Sequence, residues 1–431
     1  MRNAHKAIFF LKSFATGVLT PVLALMLLAH GATFATLSLL LGAYSLTVVV
    51  AEFPSGLFAD LYGRKKTFLL SGALSLLSYA VLLFSHSFAA VLCAIVANGL
   101  GRAFSSGSLD ALVIDQAVET DAGSLAKVTG QLNMLESAGL AVGAIAGGLL
   151  AGVGTGYAGN LIANLCIYPA LMLLTALCVR EQPRARQERS DSGSNGLRQF
   201  ARQARESLGF VAQRGVVRML FLLAFVTGFA LLSVETYWQP AFTATADASW
   251  GLGIVSCMGF VAVIGGSKCA QRLLLRWPRH EEAVLLALKA LVGVGLISLF
   301  FAFHPVLFVS VYVIAYFFLG NGSVAESTLL NRAAPSDGRA GILSLFSLVL
   351  QIGGLFASLC GFFVSAWVGY RYLWLVAGAG LIMAAGVCFI ARGAARARPG
   401  PAAEDRAAGP SCPQNNPAGD KPRAIFPASR R

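Results

Sequence analysis

The sequence predicts an all-α integral membrane protein with twelve transmembrane helices, arranged as two six-helix bundles. Two observations support this prediction. The chain of 431 residues is 56% hydrophobic and only 12% charged, with a mean hydropathy of +0.70, whereas soluble domains are about 25% charged. Its apolar residues also form twelve runs, each close to the roughly 20 residues that a helix needs to cross a bilayer. These observations exclude a soluble enzyme or binding domain.

The twelve apolar runs are separated by short polar or glycine-containing segments. We predict spans at residues 7–29, 33–55, 67–85, 88–115, 126–151, 158–179, 216–238, 249–268, 283–303, 306–331, 340–365 and 370–391. The first run follows Arg2 and Lys6, as the core of a signal peptide does. However, it is too long, lacks a cleavage site of small residues and is followed by similar runs, so we interpret it as the first span.

Lysine and arginine are concentrated in alternate connections between the spans. If the N-terminus lies in the cytoplasm, the cytoplasmic segments hold nearly all of them and the outer loops hold Arg371. Basic residues are retained on the cytoplasmic side of membranes, so this asymmetry predicts an inner-membrane protein with both termini in the cytoplasm. It also accounts for the net charge of +13 without nucleic-acid binding. The central basic segment is then suited to contact with anionic membrane lipid.

A polar stretch divides the chain in the middle. It is rich in arginine and contains SDSGSNG, which is typical of a flexible linker. The predicted domains are a bundle at 1–179, a linker at 180–215, a second bundle at 216–391 and a disordered cytoplasmic tail at 392–431. The segments GSLDALVIDQ (107–116) and GSVAESTLLNR (322–332) are each followed by a polar loop and a glycine-rich helix. This similarity indicates an inverted repeat with a pseudo-twofold relation between the bundles.

The sequence contains no pattern typical of a metal site, a catalytic site or a nucleotide site. The eight cysteines are scattered without a CxxC pair, and the five histidines fall at span ends or in loops. We interpret the cysteines as small packing residues. No Walker loop is present, so ATP does not drive the protein. We therefore predict no enzyme activity, no metal and no cofactor.

The segment EFPSGLFADLYGRKK (52–66) resembles the signature loop of the major facilitator superfamily of secondary transporters. In that loop a glycine is followed four residues later by aspartate and then by Gly-Arg-Lys/Arg. The residues that match are Gly56, Asp60, Gly63, Arg64, Lys65 and Lys66. The preceding EFP, together with SSGSLDALVID and GRAGILS, is similar to a bacterial exporter-like subgroup. The resemblance covers the chain except for the tail and the linker, and it implies transport by alternating access.

Two motifs depart from the exporter pattern. The family's span-four motif is Arg-x-x-Gln-Gly, whereas here Arg102 is followed by Ala-Phe-Ser-Ser-Gly. The antiporter motif of span five is Gly-Pro-x-x-Gly-Gly, whereas this chain keeps the glycines and lacks the proline. The antiport-like glycines are Gly139, Gly143, Gly147 and Gly148. The resemblance therefore favours proton antiport and leaves the direction of transport open.

Ionisable side chains inside predicted spans are candidates for transport and proton coupling, because they are costly to bury in a membrane. They are Arg102 and Asp110 in span four, Glu136 in span five and Glu235 near the outer end of span seven. Each also has a structural alternative as one member of an ion pair. Beside Glu235, Tyr237 and Trp238 are typical either of a ligand-contacting rim or of an interfacial aromatic belt. We expect Lys12 and Lys289 to reach the membrane surface, and Glu326 to pair with Arg332 or Lys268.

A second set of residues is predicted to act as a conformational latch on the cytoplasmic side. The family pattern that this segment resembles implies that Asp60 faces the N-terminus of span eleven, where the positive end of the helix dipole favours an anion. Arg64 is expected to bind Asp115 at the inner end of span four. We expect Gly56 and Gly63 to form a tight turn, and Glu52 to join the latch or to titrate.

The most favoured function is proton-coupled efflux of an amphipathic small molecule such as a drug, a secreted metabolite or a siderophore. Two alternatives remain, a proton-coupled importer of a sugar, organic acid or peptide, and a non-transporting membrane sensor. The expected partners are the small-molecule substrate, protons and membrane lipid, and the protein is expected to be a monomer.

Overall fold

The structure is a computed structural model, and every regular element in the part of the chain that it describes is an α-helix. The described residues are 3–85, 87–106, 108, 109, 112, 125–179, 181, 205, 208–246, 251–334 and 339–397. The first half contains α1 Asn3–Leu19, α2 Leu23–Ala29, α3 Phe34–Tyr62, α4 Arg64–Phe84, α5 Phe88–Ser105, α6 Leu125–Leu150 and α7 Ala158–Cys178. The second half contains α8 Gly215–Thr243, α9 Gly251–Arg276, α10 Glu281–Phe300, α11 Pro305–Ala333, α12 Arg339–Trp367 and α13 Tyr372–Ala397.

Within the described residues, 11 helices are long and apolar enough to cross a membrane. Helices α1 and α2 provide a twelfth span if they are counted as one, and they are bent by 50° with respect to each other. The break falls at Thr20, Pro21 and Val22. Proline lacks the backbone N–H of a helical residue and its ring clashes with the preceding turn, which explains the break. The predicted all-helical membrane fold is confirmed.

The turn between the second and third spans is shorter than the sequence predicted, so the predicted extent was wrong. Most of the segment 52–66 is helical, because α3 continues to Tyr62 and α4 begins at Arg64. Gly63 alone connects the two helices, with a φ of 97° that favours glycine. Gly56 lies inside α3, and a Cβ added there meets nothing within 4 Å. The structure therefore explains Gly63 as a turn residue and gives Gly56 no such role.

The helices pack mainly with helices of the same half. In the first half α1 packs against α6 and α7, α4 packs against α5 and α7, and α3 packs against α5. In the second half α9 packs against α11, α8 against α12, and α10 against α11. Contacts between the halves run from α3 to α12, from α6 to α9, and from α8 to α2 and α3. The predicted linker lies almost wholly outside the described residues, so the division into two bundles stays a prediction. The predicted start of the tail at residue 392 falls within α13, which continues to Ala397.

Because the spans alternate in direction, their connections lie on two sides of the protein. We call the side that carries Gly63 and the end of α7 the basic side, because Arg64, Lys65 and the end of α9 with Arg276 lie there. The other side, which holds Thr33 and the connection from α6 to α7, is called the opposite side. The described residues up to Cys388 form one compact unit, which contains every site described below.

Candidate functional site

A cavity of about 440 Å³ lies among the helices of the first half. Helices α1 to α7 all contribute residues to its wall. The polar and ionisable part of the described lining comprises Lys12, Ser13, Thr16, Thr20, Tyr44, Ser71, Ser75, Ser78, Tyr79, Asn98, Arg102, Ser105, Ser106, Glu136 and Tyr168. Ligand cavities in proteins have similar volumes, about 300–1,000 Å³. This cavity is therefore the candidate binding site.

Glu136 faces Lys12 across the cavity wall. The Lys12 Nζ lies 3.6 Å from Oε1 of Glu136, and the two side chains are 15% and 36% exposed. Lys12 was predicted to reach the membrane surface, but the structure turns it inward because α1 packs closely against α6. Glu136 thus lies where the sequence suggested a transport residue, next to a cation that the sequence did not assign to it.

Arg102 lies in the last turn of α5 and also lines the cavity. Its side chain is exposed there and forms no hydrogen bond or ion pair with another described residue. Asn98 is one helical turn earlier on α5 and lines the same wall. Asp110, the other candidate from span four, lies outside the described residues, and α5 itself ends at Ser105.

The rest of the cavity wall is apolar. Its apolar lining residues are Leu19, Leu23, Met26, Leu41, Phe68, Leu82, Ile95, Leu140, Leu171 and Met172. Leu23 and Met26 belong to α2, and Leu82 lies near the end of α4, so these three are on the opposite side. Lys12 and Arg102 lie closer to the basic side along their helices. The cavity wall is therefore charged towards the basic side and uncharged, with several apolar side chains, towards the opposite side, which suits an amphipathic molecule.

The predicted latch residues are only partly described. Glu52 is an exposed residue of α3, Asp60 lies in α3 with its side chain outside the described set, and Asp115 lies outside it altogether. The structure instead shows a contact that the sequence did not suggest. Oε1 and Oε2 of Glu181 accept hydrogen bonds from the backbone N–H groups of Arg64 (2.7 Å) and Lys65 (3.0 Å). A carboxylate at a helix N-terminus is favourable, so Glu181 stabilises the start of α4.

Glu235 lies inside the second half and does not form a rim. The Tyr316 hydroxyl donates a hydrogen bond to its Oε1. The neighbouring Tyr237 and Trp238 are 0% and 1% exposed, so neither the rim nor the interfacial belt is correct for them. The Tyr237 hydroxyl lies 2.5 Å from Ser38 Oγ of α3, and it accepts a hydrogen bond from Ser365 of α12 at 2.8 Å. Tyr237 therefore joins the two halves.

Gln239 of α8 binds the break in the first span. Its Nε2 donates to the carbonyl of Thr20 at 2.8 Å, and its Oε1 accepts from the N–H of Ala24 at 3.1 Å. Pro21 and the bend leave these backbone groups without helical partners. Gln239 is 3% exposed, so both bonds are shielded from water. The second half thus completes the hydrogen bonding of the first half on the opposite side.

Replacing Gln239 with alanine is expected to weaken the closure of the opposite side. Each lost hydrogen bond leaves a buried backbone group unpaired, at a cost of about 1–3 kcal/mol. Spin labels are placed at Val153 and Val306, which are 53% and 68% exposed. In Gln239→Ala, the distance between the two labels, measured by pulsed electron paramagnetic resonance, should show an additional longer population. Gln271→Ala, on an exposed part of α9, is the control. An unchanged distance distribution in Gln239→Ala would contradict this role.

A buried ion pair lies in the second half, away from the cavity. Lys289 Nζ of α10 donates to Oε2 of Glu326 in α11 and to Oγ1 of Thr227 in α8, both at 2.7 Å. The two charged side chains are 3% and 5% exposed. The expectations that Lys289 reaches the surface and that Glu326 pairs with Arg332 or Lys268 were wrong. Arg332 instead binds Glu281, at 2.5 and 2.6 Å.

The antiport-like glycines allow close contact of α6 with its neighbours. A Cβ at Gly139, Gly143 or Gly147 would lie 2.5, 2.3 or 2.3 Å from a backbone carbonyl oxygen of α1. Gly148 is packed towards the other half, since a Cβ on Gly253 of α9 would lie 3.1 Å from its Cα. In this structure the glycines therefore have a packing role. Gly139, Gly143 and Gly147 lie on the face of α6 that contacts α1, and Gly148 lies on the face that contacts α9.

Comparisons with known proteins agree with this architecture. The family model of the Major Facilitator Superfamily matches residues 7–331. An uncharacterized MFS-type transporter, YxaM of Bacillus subtilis (strain 168), is 24% identical over 379 residues, covering 86% of this chain and 91% of that protein.

Solved transporter structures share the fold at low sequence identity. The nucleoside transporter NupG has a TM-score of 0.73 and 14% identity, covering 90% of this chain and 99% of that one. An auto-inhibited POT family peptide transporter has a TM-score of 0.69 and 16% identity, covering 92% and 96%. A bacterial homologue of the human lysosomal transporter Spinster, inward-facing and unoccupied, has a TM-score of 0.66 and 16% identity, covering 90% and 95%. With the helical spans and the cavity described above, the family match shows that the chain belongs to the major facilitator superfamily and is a multi-pass membrane protein that acts as a secondary transporter, not as an enzyme.

Proposed function

We propose that the protein exports an amphipathic small molecule in exchange for protons, by alternating access, as a monomer in the inner membrane. In this proposal the basic side faces the cytoplasm, because lysine and arginine are retained there. The opposite side, where Gln239 and Tyr237 join the halves, then faces outward and is closed. In this proposal anionic membrane lipid contacts the basic connections between the helices on the cytoplasmic side.

The ion pair between Lys12 and Glu136 is the observation that supports proton coupling. It lies on the wall of the cavity, 3.6 Å apart, with both groups partly exposed to the cavity space. Protonation of Glu136 removes the negative charge that faces Lys12. A substrate in the same cavity meets the same two side chains, so occupancy by a proton and by substrate influence each other. Such a reciprocal influence between two ligands is the requirement for coupled transport.

The latch on the basic side completes the proposed cycle. Asp60 and Arg64 are proposed to hold the cytoplasmic ends of the helices together, with Asp60 at the N-terminus of α12 and Arg64 on Asp115. Glu181 fixes the backbone of Arg64 and Lys65 from the end of α7, which supports a defined position for this corner. Glu235 is proposed as a further coupling residue through its hydrogen bond with Tyr316.

Import is the second candidate function. It is favoured by the missing proline in span five and by the fold similarity to a nucleoside transporter and a peptide transporter. Accumulation assays with and without the protein separate the two directions. Suitable probes are ethidium (a cation), N-phenyl-1-naphthylamine (neutral) and 8-anilinonaphthalene-1-sulfonate (an anion). Export predicts lower accumulation of at least one probe in expressing cells and loss of the difference with a proton uncoupler. Higher accumulation that the uncoupler removes would replace export by import.

Glu136→Gln is expected to reduce proton-driven transport about 5-fold or more, the lower end of usual coupling between two ligands. The substitution keeps the shape of the side chain but neither binds a proton nor neutralises Lys12. Proton movement is followed with pyranine trapped in reconstituted vesicles. Glu282→Gln, at the start of α10 and away from the cavity, is the matched control. Equal proton flux in both variants would reject Glu136 as the coupling residue.

A further inference from the structure

The charge of the cavity wall points to the chemical class of the substrate. Among the described lining residues, Lys12 and Arg102 are cationic and Glu136 is anionic. Lys12 and Glu136 lie 3.6 Å apart and balance each other. The positive charge of Arg102 is therefore not balanced by another described lining residue.

An unbalanced guanidinium inside a membrane-spanning bundle is costly, because it stays charged under all physiological conditions. Asp110 is the carboxylate nearest to it in sequence on the same segment, eight residues further on. Helix α5 ends at Ser105, between the two positions, and Asp110 lies outside the described residues, so within the described cavity wall the charge of Arg102 has no carboxylate partner. An anion in the cavity would supply the missing charge.

The surroundings of Arg102 suit the head group of an anion. Its guanidinium is exposed to the cavity, and Asn98 lies one turn away on the same helix face. Guanidinium groups bind carboxylate, phosphate and sulfonate oxygens through two parallel hydrogen bonds. Towards the opposite side the wall is uncharged and includes the apolar Leu23, Met26 and Leu82. The volume of about 440 Å³ leaves room for an apolar body attached to such a head group.

We propose that the transported molecule is an organic anion with an apolar body, whose anionic head binds Arg102 and whose body lies against Leu23, Met26 and Leu82. This inference rests on the proposed function to the extent that it takes the cavity as the transport site. It does not depend on the direction of transport or on proton coupling.

Binding without any gradient tests the inference. Purified protein in lipid nanodiscs is titrated with three probes that share a naphthalene body, using saturation-transfer NMR. They are 2-naphthoate (an anion), 2-naphthamide (its neutral isostere) and 2-naphthylmethylammonium (a cation). We expect naphthoate to bind about tenfold or more tightly than naphthamide, because hydrogen bonds to a charged group contribute about 1.5–3 kcal/mol. The cation should bind most weakly. Decanoate, a flexible chain with the same head group, shows whether the apolar body must be a rigid ring, while the preference for an anion is judged from naphthoate against naphthamide.

Two variants localise the charge effect. Arg102→Gln should remove the preference for naphthoate over naphthamide while leaving the binding of naphthamide within about twofold, and Arg102→Lys should restore part of it. Arg276→Gln, at the exposed end of α9, lowers the net charge equally and should change nothing. Equal binding of naphthoate and naphthamide to the unmodified protein, or of none of the probes, would overturn the inference. If the anion preference holds and the vesicle assays detect no proton-driven transport, the proposed function fails and the substrate class stands.

Discussion

Lys289→Met is expected to destabilise the protein by about 3 kcal/mol or more, the largest effect that we predict for a single side chain. The substitution removes the cation that binds Glu326 and leaves a buried carboxylate without a partner. Breaking a buried ion pair from one side is much more harmful than replacing both members. Oε1 of Glu326 already has no hydrogen-bond partner among the described residues, which leaves Lys289 as the group that compensates its charge.

Thermal unfolding of the purified protein, followed by tryptophan fluorescence, measures this effect. The double variant Lys289→Met with Glu326→Leu should recover much of the lost stability, because no buried charge remains. Arg276→Gln is the control, because it removes a cation from the exposed end of α9, where a surface substitution is expected to change stability by only about 0.5 kcal/mol or less. Similar losses for Lys289→Met and Arg276→Gln would show that burial is not the cause.

Gly143→Ala is expected to disrupt the contact between α1 and α6 and with it the cavity. The added Cβ would lie 2.3 Å from the carbonyl oxygen of Phe14 and 2.9 Å from the Cα of Gly17. Backbone atoms cannot rotate away as a flexible side chain does, so the helices must separate. Overpacking of this kind costs about 1–3 kcal/mol. Since Lys12 is on α1 and Glu136 on α6, the separation also lengthens their ion pair.

Transport in vesicles and thermal stability should both fall in Gly143→Ala. Gly386→Ala provides a helical control, because a Cβ at Gly386 meets nothing within 4 Å. Alanine is the better helix former, so this control should be neutral or stabilising by up to about 1 kcal/mol. If Gly143→Ala transports as well as Gly386→Ala, the glycine is not needed for helix contact, and its role must be sought elsewhere.

The elements of the fold were predictable because each depends on a local property of the chain. Apolar runs of sufficient length predicted the spans, and the proline and glycine positions account for the break at Pro21 and the turn at Gly63. Helix ends were less predictable, since α3 continues through the charged segment to Tyr62 and α5 ends at Ser105. Charged residues do not end a helix by themselves, and the apolar pattern does not indicate the residue at which the helix ends.

The pairs within the site were not predictable, because they join distant segments. Gln239 binds Thr20, 219 residues away, and Lys289 binds Glu326, 37 residues away. The helical period indicates which residues share a face, but the neighbour of that face depends on packing between helices. Local rules offered Arg332 and Lys268 as partners of Glu326 and had no means of selecting Lys289. Arg102 and Glu136 were identified for a different reason, since charge inside an apolar run is visible without knowledge of the partner.

The single-residue connection at Gly63 also has a mechanical consequence. Gly63 is the whole connection between α3 and α4. Glu181, just after the end of α7, is hydrogen-bonded to the backbone at the start of α4. A tilt of α3 therefore also moves α4 and α7, because no flexible loop separates α3 from α4. Helix α3 also packs against α12 of the second half. Movement between the halves consequently reaches α4 and α7, which form part of the cavity wall, through a rigid corner.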